Sequence, residues 1–217
     1  METLKKLLRA ARPAITVTLI LMLICGLLYP LGMTGLSQLM FPAQANGSLL
    51  TVNGEAIGSE HIGQEFTAPY FLKGRPSAVH YNTYVENENG EQTYLDGSEF
   101  GGLASGSANY GPSNPALHER VEQDIEAFLA ANPEIAREDI PTDLMTASGS
   151  GLDPHISPAS ARVQLPAVAE ASGLSIETLE QFVEAHTTGK LLGIFGEEVV
   201  NVLEVNLDIA QAMGLIG

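Results

Sequence analysis

The stretch richest in groups that do chemistry runs Thr146-Ala147-Ser148-Gly149-Ser150-Gly151-Leu152-Asp153-Pro154-His155-Ile156-Ser157-Pro158. It gathers hydroxyls, glycines, an acid and a histidine just ahead of a helix start, and its composition admits a nucleophile site. The spacing does not support one. A serine-hydrolase elbow places glycine two residues before and two after the serine, whereas Ser150 has Ser148 and Leu152 there. Asp153 and His155 would offer a metal two ligands with no third in view, and catalytic zinc takes three from the protein. The expected role is a structural loop that caps the following helix. The rival reading is a membrane-anchored exoplasmic hydrolase using Ser150, His155 and Asp153.

Phosphate binding meets the same test. Gly189-Lys190 has the look of a phosphate loop, but Leu191 replaces the required Ser/Thr and Glu184 stands where the first glycine belongs, so no Walker motif is present. The run Gly101-Gly102-Leu103-Ala104-Ser105-Gly106-Ser107 precedes no basic side chain before Arg120 and reads as a flexible loop. His61, His80 and His118 share no spacing, and His186 falls on the apolar face of a predicted helix, so each is expected to pack with a hydrogen bond. Lys73-Gly74-Arg75-Pro76 is a basic turn that either meets an acidic partner or balances nearby acids. Asn46-Gly47-Ser48 is a glycosylation sequon, meaningful only in a eukaryotic secretory pathway. Cys25 is the only cysteine. It lies in an apolar run without the small residue a lipoprotein signal needs, so it is expected to pack, and no disulfide within the chain is possible.

Whatever these loops do, a membrane segment comes before them. From Ala14 to Leu36 the chain runs 23 residues without a charge, behind Lys5, Lys6, Arg9 and Arg12. At about 1.5 Å per residue that is about 34 Å of helix, enough to cross a hydrocarbon core of about 30 Å. Ala43-Gln44-Ala45 fits a signal-cleavage pattern, but a signal core spans only about 7–15 residues, so a retained anchor is expected. The basic flank places residues 1–13 in the cytoplasm, 14–36 across the membrane, and 37–217 outside as one domain. The first 36 residues hold four of the ten Lys and Arg and one of the 26 Asp and Glu, which leaves −19 on the remainder. Such a charge excludes nucleic acid as a partner and disfavours anionic lipid surfaces.

Within that domain, Asn53-Gly54 between two short strand-like runs predicts a hairpin over 50–57. Residues 73–114 read as long loops containing an acidic insertion from Tyr84 to Phe100. Asn114-Pro115 opens a helix with the stripe Leu117, Val121, Ile125 and Phe128, ending near Asn132-Pro133. A second helix starts at Ser157-Pro158 and stops before Gly173, with Pro166 suggesting a break or kink. A third follows Ser175, carries Leu179, Phe182, Val183 and His186, and closes at Gly189. Val199–Val205 predicts a strand and Asn206–Met213 a short helix. The fold class is α+β: a single N-terminal transmembrane helix followed by one exoplasmic mixed α/β domain.

In order, these stretches resemble the C subunit of the Kdp-type potassium-transporting ATPase of bacteria and archaea. The likeness runs through Gly58-Ser59-Glu60-His61-Ile62-Gly63-Gln64, Tyr70-Phe71 and Gly74-Arg75-Pro76-Ser77. It is densest in Gly111-Pro112-Ser113-Asn114-Pro115-Ala116-Leu117, Thr146–Pro158 and Val200-Asn201-Val202-Leu203-Glu204-Val205-Asn206-Leu207. The resemblance implies a potassium pump whose partners are a channel-like potassium-selecting subunit, a P-type ATPase subunit that hydrolyses ATP, and a very small membrane subunit. It implies no catalytic residues and no cofactor in this chain, ATP and potassium being handled by the complex. The implied role is assembly and stabilisation, with a catalytic-chaperone effect that raises ATP affinity. In the family that effect is tied to a Ser-Gly-Gly run, which here falls on Ser105, Gly106 and Ser107, so these are the nucleotide candidates. Ser107 stands in place of the second glycine. With the run outside and ATP in the cytoplasm, the effect on ATP affinity is expected to be indirect. Two further departures from the family pattern are the insertion from Tyr84 to Phe100 and Glu198-Val199 in place of Pro-Arg.

Overall fold

A computed structural model describes residues 2–216, with residues 3–8 described by backbone alone, so the side chains of Lys5 and Lys6 in the basic flank lie outside the described residues. The chain forms two compact units, Met1–Ser48 and Leu49–Gly217.

The first unit is helical because its apolar run has no partner for its backbone except itself. α1 (Glu2–Leu23) passes through a π-helical turn (Ile24–Leu28) into α2 (Tyr29–Met40). The π turn answers Pro30. In a regular α-helix the ring of Pro30 would strike the carbonyl of Gly26. Here the Tyr29 N–H reaches back to the Ile24 carbonyl, and this wider turn absorbs the conflict. The apolar helix thus extends beyond the expected 14–36 at both ends, and Arg9–Met40 is long and apolar enough to cross a membrane. Its side chains are exposed apart from Ala11 and Ser37, which are half-buried. Phe41, at φ −140° and ψ 60° before Pro42, leaves the helical conformation and ends it. The short α3 (Pro42–Ala45) follows, and Asn46 and Gln38 exchange two amide hydrogen bonds of 3.1 and 3.2 Å across the turn.

The second unit opens with the expected hairpin, β1 (Leu49–Val52) and β2 (Glu55–Ser59), whose turn residues Asn53 and Gly54 both take positive φ. Residues 73–114 are less loop-like than expected. β3 (Tyr84–Glu86) and β4 (Gln92–Tyr94) form a second antiparallel hairpin inside the acidic insertion, turning at Asn89-Gly90. Its stability comes from an aromatic face: Tyr84 stacks on Phe100 at 4.4 Å, and Tyr94 packs edge-on to Phe100 at 5.3 Å. α4 (Pro115–Ala131) starts where Asn114 accepts from the Ala116 N–H and ends at Asn132, as its capping signals predict.

The rest folds around a three-stranded antiparallel sheet in the order β5 (His155–Ile156), β7 (Val199–Asn201), β6 (Thr187–Thr188). The second expected helix is interrupted at Val163-Gln164, just ahead of Pro166, giving α5 (Pro158–Arg162) and α6 (Leu165–Ser172) with Pro166 in the first turn of α6. α7 (Ile176–Ala185) stops short of Gly189: His186 caps it and the chain turns into β6. His186 therefore does not lie on an apolar helix face. It stands between Asp208 at 2.8 Å and Glu204 at 3.4 Å on α8 (Val202–Ala212). α8 itself begins four residues before the expected start, because Asn201 accepts from the Glu204 N–H and caps it there. Leu72, Ile156, Leu165, Leu179, Val183, Val200, Val205 and Ile209 form one core between these helices and the sheet.

Candidate functional site

The loops flagged for chemistry are organised by one segment, Leu72–Asn82, which α8 and the junction of α5 and α6 hold by side-chain amides. Asn206 on α8 accepts from the Leu72 N–H at 2.8 Å and donates to the Leu72 carbonyl at 2.9 Å, so a buried side chain completes the pairing of a backbone that no strand reaches. Gln164, between α5 and α6, does the same for Lys73 at 2.9 and 3.2 Å. The Lys73 ammonium donates to the carbonyls of Phe66 and Ala68, and burial lowers its pKa against the opposing pull of Glu65. Arg75 pairs with Asp153 at 3.1 Å and reaches the Thr146 carbonyl at 3.2 Å. The basic turn thus serves acids and carbonyls of its own domain.

This segment then takes three successive left-handed residues, His80, Tyr81 and Asn82, with φ of 47°, 51° and 55°. Each such residue costs about 1 kcal/mol or more, so the turn must be tied from several sides. Ser77 Oγ accepts from the N–H groups of Val79 and Tyr81 and donates to the Gly151 carbonyl at 2.7 Å. The Tyr81 hydroxyl donates to the Arg75 carbonyl, and burial, helped by Asp153, pushes its pKa up to about 12. Asn82 exchanges two bonds with Ala104.

Through these ties the two sets of candidate residues meet. The Ser150 carbonyl accepts from the Gly106 N–H at 2.7 Å and from Ser105 Oγ at 3.0 Å. Gly151 fits at this crossing with φ +69°, where a Cβ would lie 2.7 Å from the Gly106 carbonyl. Ser107 is not part of the lacing; its hydroxyl meets Asn109 at 3.1 Å. Asp153 and His155 also come together: Asp153 accepts from the His155 N–H at 3.0 Å, and the His155 Nδ1 lies 3.5 Å from the same oxygen. Burial alone would raise the Asp153 carboxyl, but hydrogen bonds from His155 and Arg75 outweigh it and hold it below the ordinary value. Ser150 does not join this pair. Its Oγ accepts from the Leu152 N–H at 3.1 Å. The arrangement orders backbone and leaves the serine hydroxyl turned to its own loop.

The end of the loop caps α5, as the sequence led us to expect, but with a partner the sequence did not flag. Asp143 accepts from the Ser157 N–H at 2.7 Å and from the hydroxyls of Ser157 and Ser160 at 3.1 and 2.6 Å. Burial would raise its pKa, and these bonds more than reverse the effect. Asp143, Gln164 and Asn206 were the organising residues missed. Asn206 had a signal: it falls on the stripe of Val202, Val205 and Ile209 that α8 buries, where an unpaired amide could not stay.

An open cleft of about 620 Å³ lies beside Ser107, lined by Asn109, His118, Arg120, Arg137 and Met145 among others. Its size suits a small ligand, yet both guanidiniums are engaged. Arg137 grips Glu122 through two bonds of 2.5 and 2.6 Å, and Arg120 pairs with Asp124 and the Met145 carbonyl. Ser105 and Gly106 do not line the cleft. Of the other histidines, His118 meets the Pro112 carbonyl at 3.0 Å, and His80 packs on Tyr94 between Glu65 and Asp96, each 3.9 Å away.

Comparison with known proteins gives the geometry a context. The family model described as KdpC, the c chain of the K+-transporting ATPase, matches residues 11–211. The chain is 60% identical over 199 residues to the potassium-transporting ATPase KdpC subunit of Clostridium kluyveri, covering 92% of each. It is 53% identical over 214 residues to that of Clostridioides difficile, covering 96% of this chain and all of the relative. The corresponding subunit of Rhodopseudomonas palustris strain BisB5 is 44% identical over 201 residues, with 93% and 96% covered.

Proposed function

The chain belongs to the KdpC family, the C chains of the K+-transporting ATPase, and from that membership we propose that it is a non-catalytic accessory subunit of an ATP-driven potassium importer. It assembles with a channel-like potassium-selecting subunit, a P-type ATPase subunit that hydrolyses ATP, and a small membrane subunit. The N-terminal helix is its single membrane crossing in the cell membrane, with residues 1–13 cytoplasmic and 37–217 exoplasmic. The observation that carries the reading is identity of 60% along nearly the whole length of a named potassium-transporting ATPase subunit. The geometry of Thr146–Pro158 supports it: Asp153 accepts from the His155 N–H while the Ser150 hydroxyl accepts from the Leu152 N–H, an arrangement that orders backbone rather than pairing serine with histidine.

Any effect on ATP affinity is a coupling carried through the membrane subunits, of about 1–3 kcal/mol or roughly 5- to 150-fold. Ser105 and Gly106 support this indirect route, since both serve the Ser150 carbonyl. The test is potassium-stimulated ATP hydrolysis in membranes carrying the partner subunits, with and without this chain. Omitting it is expected to raise the KM for ATP; an unchanged KM and unchanged assembly overturn the proposal. Cysteine placed at Ser105 in a Cys25→Ser background should be labelled by an impermeant reagent from outside the cell. Labelling only from the cytoplasmic side would reverse the orientation and reopen direct nucleotide contact.

A further inference from the structure

The connection between β6 and β7 sets four large apolar side chains in solvent within five residues: Leu191, Leu192, Ile194 and Phe195 are 69%, 81%, 76% and 62% exposed. Nothing in the core requires this, and water alone penalises it. The backbone of the tip is largely satisfied from within. Leu191 and Phe195 exchange two N–H···O bonds of 2.8 and 3.0 Å, Gly193 donates to the Lys190 carbonyl at 2.9 Å, and Ile194 donates to the Leu191 carbonyl at 3.2 Å. A turn with its own hydrogen bonds can enter a medium that offers none. Lys190 and Glu197 pair across the base at 3.4 Å, so residues 190–197 carry no net charge in a chain of −16. The tip has none of the Trp, Tyr or Arg anchors that concentrate energy in protein interfaces. Only residues 41–48, half of them in α3, lie between the apolar helix and β1, so the domain that carries the tip is tied by a short connection to any membrane that helix crosses.

We propose that the tip from Leu191 to Phe195 inserts into the interfacial layer of the bilayer that the N-terminal helix crosses, with Lys190 and Glu197 at headgroup level. The proposal rests on reading that helix as a membrane anchor. A neutral, apolar, backbone-satisfied tip is the part of an acidic domain that can meet lipid without repulsion from headgroup charge.

The chain has no tryptophan, so Phe195→Trp introduces a single reporter, and Leu192→Trp supplies a second should the first variant fold poorly. The full chain is reconstituted in phosphatidylcholine vesicles with and without bromine on the acyl carbons nearest the headgroup, and the same samples are floated on a density gradient. The expected result is floating protein whose emission is blue-shifted and loses intensity with the brominated lipid. Floating protein with solvent-like emission overturns the proposal alone, as does blue-shifted emission that bromine leaves unquenched, which would place the tip against protein. Protein that fails to float overturns the anchor reading and the proposal with it.

Discussion

Asp153 touches Arg75, the backbone of His155 and the His155 ring edge, whereas the Ser150 hydroxyl serves only its own loop. Asp153→Ala should therefore destabilise the protein by about 1–2 kcal/mol through the unpaired guanidinium and lost loop contacts, while Ser150→Ala should cost under about 0.5 kcal/mol. Denaturant unfolding of the two variants in detergent measures the difference, and equal costs would contradict the structural role. Asp143 makes a pH-dependent contribution. Its folded pKa lies below the unfolded value of 3.8, because hydrogen bonds from Ser160 and Ser157 overcome the effect of burial. The stability it supplies is present above pH 3.8 and is lost as pH falls through the depressed folded value. Asp143→Asn should be less stable than the wild type at neutral pH and lose less on acidification below 3.8, so the two stability curves converge at the acid end. Parallel curves would remove Asp143 from the account.

Among the elements, α8 has the largest organising role, since Asn206 completes the pairing of Leu72 as a neighbouring strand otherwise would. Asn206→Ala strands a buried N–H and a buried carbonyl, at about 1–3 kcal/mol each, so a loss of about 2–6 kcal/mol is expected by thermal or denaturant unfolding. The same helix shows how far the sequence was legible. Capping signals placed α4, α5 and α7 well because they are local: an Asn or Ser before the helix determines its start whatever lies around it. Val199–Val205 was misread as one strand because its β-branched residues suit either state, and the cap at Asn201 decides between them. The hairpin β3–β4 escaped notice because acidic residues hid both the Asn89-Gly90 turn and the aromatic face built from Tyr84, Tyr94 and Phe100. The candidate site was legible in its parts, not in its joining. Ser105 and Ser150 stand 45 positions apart, and no local pattern announces that they meet.

At the scale of the whole molecule, charge and the apolar helix set behaviour. The segment beyond residue 36 carries −19, so self-repulsion opposes its compact state. Raising ionic strength from about 0.01 to 0.15 M shortens the screening length from about 30 to 8 Å and should raise Tm by about 2–4 °C. A fall in Tm would mean that ion pairs such as Arg137–Glu122 outweigh the net repulsion. The exposed apolar surface of Arg9–Met40 and the KdpC family membership both point to life in a membrane complex. The central claim, an accessory subunit of a potassium-pumping ATPase, is tested most directly by affinity purification of the full chain from membranes of cells expressing the pump. The account predicts that a P-type ATPase subunit and a potassium-selecting subunit elute with this chain in fixed proportion. A chain that elutes alone, folded and stable, would contradict it.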